Sequence, residues 1–150
     1  MPGSSKAPGW SLKVKIFLVL VLLWVSGDAV MGLAKGAGGC RILKVIDGDT
    51  VTLWCGVGGI ERARLVGFDT PELFSPKCFS ERYQAIRATF ALRGELWAAG
   101  RIEVRAEGRG RYGRVLADVR LDGTPLDRIM VGRGLARAYD GGRRRDWCQG

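Results

Sequence analysis

Arg41-Ile42-Leu43-Lys44-Val45-Ile46-Asp47-Gly48-Asp49-Thr50-Val51-Thr52-Leu53-Trp54 sets two β-type runs on either side of an acidic, glycine-centred break. Arg41 to Ile46 alternates polar and apolar residues and Thr50 to Trp54 resumes the pattern, so the stretch reads as a β-hairpin with Asp47-Gly48 supplying the turn. Outward from it, Gly56 to Gly59 forms a second turn, and Ile60 to Phe68 a third strand that runs into Asp69-Thr70-Pro71. Three consecutive antiparallel strands make a meander. Beyond the meander the period becomes helical from Ser80 to Ala99, with Ser80 as the expected N-cap and Gly100 as the stop. Tyr83, Ile86, Phe90 and Trp97 share one face of that helix.

Arg101 to Ala106 and Val115 to Leu121 alternate again as a fourth and a fifth strand, joined by a loop of glycine and arginine, Glu107 to Arg114. A short helix from Leu126 to Arg133 starts near Pro125 and stops at Gly134. A meander, a helix and two more strands suit an α+β fold. The expected form is a five-stranded OB-type β-barrel with one long and one or two short helices packed on it, because closure removes the unpaired edges of so short a sheet.

The chain of 150 residues has room for one compact domain and a short extra segment, and none for a second catalytic domain. Its net charge is +9, and Arg provides 18 of the 24 cationic side chains. Arginine forks favour bidentate recognition of phosphate or carboxylate, so a polyanionic partner is the leading inference. A high proportion of Arg also serves plain solubility.

The first forty residues differ in kind from the rest. Lys6, Lys13 and Lys15 precede the apolar run Ile16 to Val25, and small residues follow to Ala34. That order is the order of a secretory signal peptide, with cleavage expected after Ala34. The organisation read from it is a leader at 1–34, a linker at 35–40 and a domain at 41–150. An uncleaved membrane anchor through residues 16–25 is the alternative, because about 20 apolar residues are needed to span a bilayer and this run is shorter. Cys40 lacks the bulky aliphatic residue three positions earlier that lipid attachment would require.

Cys40, Cys55, Cys78 and Cys148 behind an export signal argue for disulfides, and three pairings are possible. The hairpin places Cys40 and Cys55 at its open end, which favours that pair and Cys78 with Cys148. The chain has no His and no Cys-x-x-Cys spacing, so a zinc site is not expected.

Asp47, Asp49, Asp69 and Glu72 fall at strand ends or in adjoining turns, and hard oxygen ligands of this kind suit Ca²⁺ or Mg²⁺. Each motif alone is equally consistent with a polar turn or a capped helix start. Together, Val45-Ile46-Asp47-Gly48-Asp49-Thr50-Val51, Arg64-Leu65-Val66-Gly67-Phe68-Asp69-Thr70-Pro71-Glu72 and Arg111-Tyr112-Gly113-Arg114 resemble the staphylococcal-nuclease-like family in composition, order and spacing. The resemblance continues into Gly134-Leu135-Ala136-Arg137-Ala138-Tyr139 and covers residues 41–139. By contrast, Gly108-x-Gly110-x-x-Gly113 fits a dinucleotide-binding pattern but joins two strands and precedes no helix.

The resemblance implies an OB-fold barrel with a single Ca²⁺ site: Asp49 and Asp69 would supply carboxylates and Thr70 its backbone carbonyl, with Asp47 close by as added charge or a supporting hydrogen bond. It implies phosphodiester hydrolysis of DNA or RNA with little sequence preference, with Glu72 as general base and Arg64 and Arg114 on the scissile phosphate. Tyr112 and Tyr139 match tyrosines that contact the nucleotide, and Arg111 stands where the family often has Lys at a terminal phosphate. The chain departs from the pattern in a short loop after Glu72, in Gly110 where an acidic residue is common, and in a Gly-Gly-Arg-Arg-Arg tail where a long helix is common. A monomeric, exported enzyme is expected. A silent OB-fold nucleic-acid-binding module and an envelope-anchored structural protein are the alternatives.

Overall fold

The computed structural model describes residues 11–37 and 39–149. Lys6 and the rest of the first ten residues of the expected leader lie outside the described residues. In chain order the elements are α1 (Leu12–Lys35), β1 (Gly36–Ala37), β2 (Arg41–Val45), β3 (Thr50–Trp54), a 3₁₀ turn (Gly56–Gly58), β4 (Ile60–Leu65) and β5 (Gly67–Asp69), then α2 (Phe79–Ala98). They continue with β6 (Ile102–Arg109), β7 (Val115–Leu121), β8 (Thr124–Pro125), α3 (Leu126–Gly132) and β9 (Arg137–Tyr139).

One sheet runs β1-β6-β7-β4-β3-β2, with β8 beside β7, and curls into a nearly closed OB-fold barrel. The meander of β2, β3 and β4 is antiparallel, β7 lies parallel to β4, and β6 returns antiparallel to β7. The five expected strands are therefore the barrel wall. The first is less regular than strict alternation predicts, because Ile42 and Val45 both point inward and the register shifts between Ile42 and Lys44. A bulge absorbs the extra apolar residue, Leu43.

The third expected strand divides. Leu65 N–H donates to the Asp49 carbonyl at 2.8 Å and Val66 N–H to the Ala117 carbonyl at 3.1 Å, after which the chain leaves the barrel. Gly67 makes the exit at φ +88°, and a Cβ there would lie 2.9 Å from Asp127 Cβ, so both backbone and space require glycine. Freed from the barrel, β5 pairs antiparallel with β9, a strand with no signal in the apolar pattern.

The core is the barrel interior plus one face of α2 and α3. Val45, Val51, Leu53, Ala63, Leu65, Phe68, Ile102, Ala117, Leu126 and Met130 are essentially inaccessible. The long helix turns its other side inward from the one its aromatic residues suggest. Ala85, Ala88, Leu92 and Leu96 are buried, whereas Tyr83, Ile86, Phe90 and Trp97 are exposed. Small residues let the helix lie close on the barrel, where aromatic rings would hold it off.

The helix also starts earlier than expected. Cys78 replaces Ser80 as the cap, its sulfur accepting from Glu81 N–H at 3.4 Å, and the buried Glu81 carboxylate accepts from Lys77 N–H at 2.7 Å. This is a capping box displaced by one residue.

Asp28 of α1 is buried against α2, where it accepts from Arg93 Nε at 3.1 Å and Trp97 Nε1 at 3.2 Å. Among the described residues no helix is long and apolar enough to cross a membrane.

Two disulfides are formed, Cys40–Cys55 across the first hairpin and Cys78–Cys148 from the start of α2 to the tail. The bridged residues are 15 and 70 apart in sequence. Loop-closure entropy makes the second the stronger staple, at about 4 kcal/mol against about 3 kcal/mol for the first. The variant with Cys78→Ser and Cys148→Ser is expected to melt well below the parent chain in a calorimetric scan. An unchanged midpoint would mean that the tail contributes nothing to stability.

Candidate active site

The turn Asp47-Gly48-Asp49 is the floor of the site. Asp49 N–H donates to Asp47 Oδ1 at 3.0 Å, which closes an Asx-type turn and points both carboxylates to one side. Gly48 is needed for closeness and not for a special φ, since an added Cβ would meet Thr70 Oγ1 at 2.8 Å and Ala88 Cβ at 3.0 Å. The hairpin tip is thereby pressed onto the segment after β5. Gly48→Ala is expected to cost about 1–3 kcal/mol, as overpacking typically does, read as a lower urea midpoint; a neutral effect would show that the two segments can part freely.

Arg64, on β4, ties the two halves together. Its Nη1 donates to Asp49 Oδ1 and its Nη2 to Asp69 Oδ1, each at 3.0 Å, and its side chain is only 11% exposed. Asp49 Oδ2 accepts from Thr70 N–H at 3.2 Å, and its Oδ1 also accepts from Thr50 Oγ1 at 3.1 Å. Asp49, Asp69 and Thr70 are all buried. In the sequence these acidic groups show no partner at sheet spacing; the fold supplies one fork for two of them.

Glu72 projects from the loop beyond Asp69. Its N–H donates to Glu81 Oε1 at 3.3 Å, so the capping carboxylate of α2 also fixes the base of this residue. The Glu72 carboxylate itself is 41% exposed and faces the cleft. Burial and the nearby Asp49 charge raise the Asp47 carboxyl above the ordinary carboxylate range, and Glu72 adds to the effect. Excess negative charge is thus concentrated at the turn.

A cleft of about 930 Å³ opens over this floor. It is lined by Asp47, Asp49, Arg64 and Glu72 from one side, by Arg111, Tyr112 and Arg114 from the β6–β7 loop, and by Tyr139 from β9. Strand β6 runs on to Arg109, farther than the sequence pattern indicates, and Arg109 secures the loop. Its guanidinium grips Glu61 at 2.7 and 2.9 Å and donates to the Gly113 carbonyl at 2.8 Å. Tyr112 is 80% exposed, and Tyr139 lies with its ring centroid 5.9 Å from the Arg64 guanidinium. Eight of the expected site residues therefore share one cleft, and Asp69 and Thr70 lie beneath its surface.

Two tail residues that no motif marks also reach the site. Arg144 is ion-paired with two carboxylates, its Nε 2.9 Å from Asp69 Oδ1 and its Nη1 3.7 Å from Glu72 Oε2. Trp147 Nε1 donates to Asp69 Oδ2 at 3.2 Å from a buried position, with Arg137 stacked 3.9 Å from its ring centroid. The available signal was the Cys78–Cys148 pairing, which returns the tail to a point six residues from Glu72.

The donor set fits a hard divalent cation. Asp49 and Asp69 offer acceptor-only oxygens held on a common guanidinium, with further carboxylates at Asp47 and Glu72, and among the described residues no soft ligand lines the cleft. The cluster of Cys78, Glu81 and Cys148 is not a metal site, because both sulfurs are joined to each other.

Residues 62–147 match the family described as staphylococcal nuclease homologue. The chain is 32% identical over 126 residues to a thermonuclease of Staphylococcus intermedius, covering 81% of this chain and 73% of that protein. It is 33% identical to a thermonuclease of Staphylococcus hyicus (65% of this chain, 57% of that protein). It is 29% identical to the SPbeta prophage-derived endonuclease YokF of Bacillus subtilis (63% of this chain, 32% of that protein). For the last two, the matched region spans less than two thirds of the relative. With the family match over residues 62–147 and the shared OB-fold barrel, the chain belongs to the staphylococcal nuclease family.

Proposed function

We propose that this protein is an exported, Ca²⁺-dependent phosphodiesterase that cuts DNA, RNA or both internally with little sequence preference, as a monomer. The observation that carries the reading is the convergence of Arg64, Arg114, Arg111 and Glu72 on one cleft above the buried Asp49 and Asp69 pair. The names of its relatives, thermonuclease and endonuclease, support the reaction class.

Asp49, Asp69 and the Thr70 carbonyl would hold the ion, which when bound would supply Lewis-acid stabilisation of developing negative charge. The remaining chemistry falls to the side chains. Arg64 is pre-oriented by its two carboxylates, so it meets the scissile phosphate without having to be ordered first. Arg114 has no hydrogen-bond or ion-pair partner for its side chain among the described residues, and its guanidinium is free to take a phosphoryl oxygen as charge develops. Glu72, accessible and fixed at its backbone, takes the proton of the attacking water. Tyr112 and Tyr139 offer rings to a base or sugar, and Arg111 charge to a neighbouring phosphate.

Export rests on the order of Lys13, Lys15 and the apolar run that follows them. Metal dependence is tested by adding chelator and then Ca²⁺ or Mg²⁺ to a single-stranded DNA digestion. Activity is expected to vanish with chelator and to return with Ca²⁺; full activity in chelator would remove the metal from the account.

A further inference from the structure

We propose that Arg144 is a tethered counter-cation of the site, a positioning residue that competes with the divalent cation for Asp69 and so sets the affinity for that cation. The inference rests on the metal reading above. Asp69 Oδ1 accepts from Arg64 and is ion-paired with Arg144 at 2.9 Å, and Oδ2 accepts from Trp147, so both of its oxygens are engaged. The three partners are not equally fixed. Arg64 is 11% exposed on a barrel strand and Trp147 is 8% exposed, whereas the Arg144 side chain is 39% exposed on a tail without regular structure. Arg144 is therefore the partner that can withdraw. It lines the cleft, whereas Asp69 is buried and is not part of the lining.

The tail is delivered to this place by ties outside the acidic cluster. Tyr139 Oη donates to the Gly142 carbonyl and Arg137 Nη1 to the Asp146 carbonyl, both at 2.8 Å. Asp146 Oδ1 accepts from Cys148 N–H at 2.8 Å, and the disulfide with Cys78 anchors the end. These ties keep the local concentration of the guanidinium high, so a cation has to displace a group that cannot diffuse away. While it is in place, Arg144 also bridges Asp69 and Glu72 and offsets their mutual repulsion.

The test is calorimetric titration of Ca²⁺ into the oxidised full chain without nucleic acid, at constant ionic strength, for the parent protein, Arg144→Gln and Arg144→Lys. Removing one charge at hydrogen-bond distance from Asp69 is expected to tighten Ca²⁺ binding by about tenfold, with Arg144→Lys between the two. The variant with Cys78→Ser and Cys148→Ser, confirmed folded by circular dichroism, is expected to bind more tightly as well, because its tail is untethered. Unchanged or weaker binding by Arg144→Gln, with clear binding by the parent chain, overturns the inference and leaves the metal site standing. No binding heat in any of the proteins overturns the metal site itself, and the inference falls with it.

Discussion

Glu72→Ala is expected to lower phosphodiester turnover by about 10²–10⁴-fold, the range for loss of a positioned general base, while the melting temperature stays close to that of the parent chain. The separation of the two effects follows from the geometry. The Glu72 side chain is 41% exposed, and among the described residues its one ion-pair contact is a loose 3.7 Å approach to Arg144. The bond that holds the loop comes from the Glu72 backbone N–H to Glu81, and alanine retains it. A variant that melts early would show that the carboxylate serves the fold. A variant that keeps its activity would hand the proton to another group, and Asp47, with its raised carboxyl, is an alternative in the same cleft.

Arg64→Lys is expected to cost about 10²–10³-fold in turnover, as removal of a preorganised donor at developing charge does. This loss comes with a measurable drop in stability. The fork serves two buried carboxylates at once, each at 3.0 Å, and a lysine ammonium at the end of a single stem cannot reproduce both bonds. Asp49 or Asp69 would lose one charge-assisted hydrogen bond while keeping its other partners, a loss worth about 1.5–3 kcal/mol. Paired kinetics and urea melts separate the contributions. Near-normal kcat in Arg64→Lys would show that positive charge alone suffices and that bidentate geometry is irrelevant.

Much of the barrel is legible in the sequence because its strands are short, β-branched and punctuated by Gly or Asp-Gly. Thr50 to Trp54 and Val115 to Leu121 have the same bounds in the fold. The acidic turn and the arginines were legible because chemistry restricts the residue types there. What was not legible depends on three-dimensional closeness. The inward face of α2 consists of Ala85, Ala88, Leu92 and Leu96, whose small volumes carry less hydrophobic weight than Tyr83, Phe90 and Trp97 on the outside. A rule that ranks faces by apolar size selects the wrong one. Strand β9 pairs with a three-residue segment, too short for a period to show. Arg144 and Trp147 reach Asp69 only because a disulfide folds the tail back, and nothing within the tail marks it as part of the site.

The central claim is that this cleft hydrolyses a phosphodiester bond, and the most direct measurement follows an end-labelled single-stranded DNA oligonucleotide with Ca²⁺ present, scoring cleavage and binding together for the parent chain and Glu72→Ala. Internal cleavage by the parent chain, with binding but little cleavage by the variant, is the predicted result. Tight binding without cleavage by the parent chain would contradict the claim and identify the barrel as a nucleic-acid-binding module.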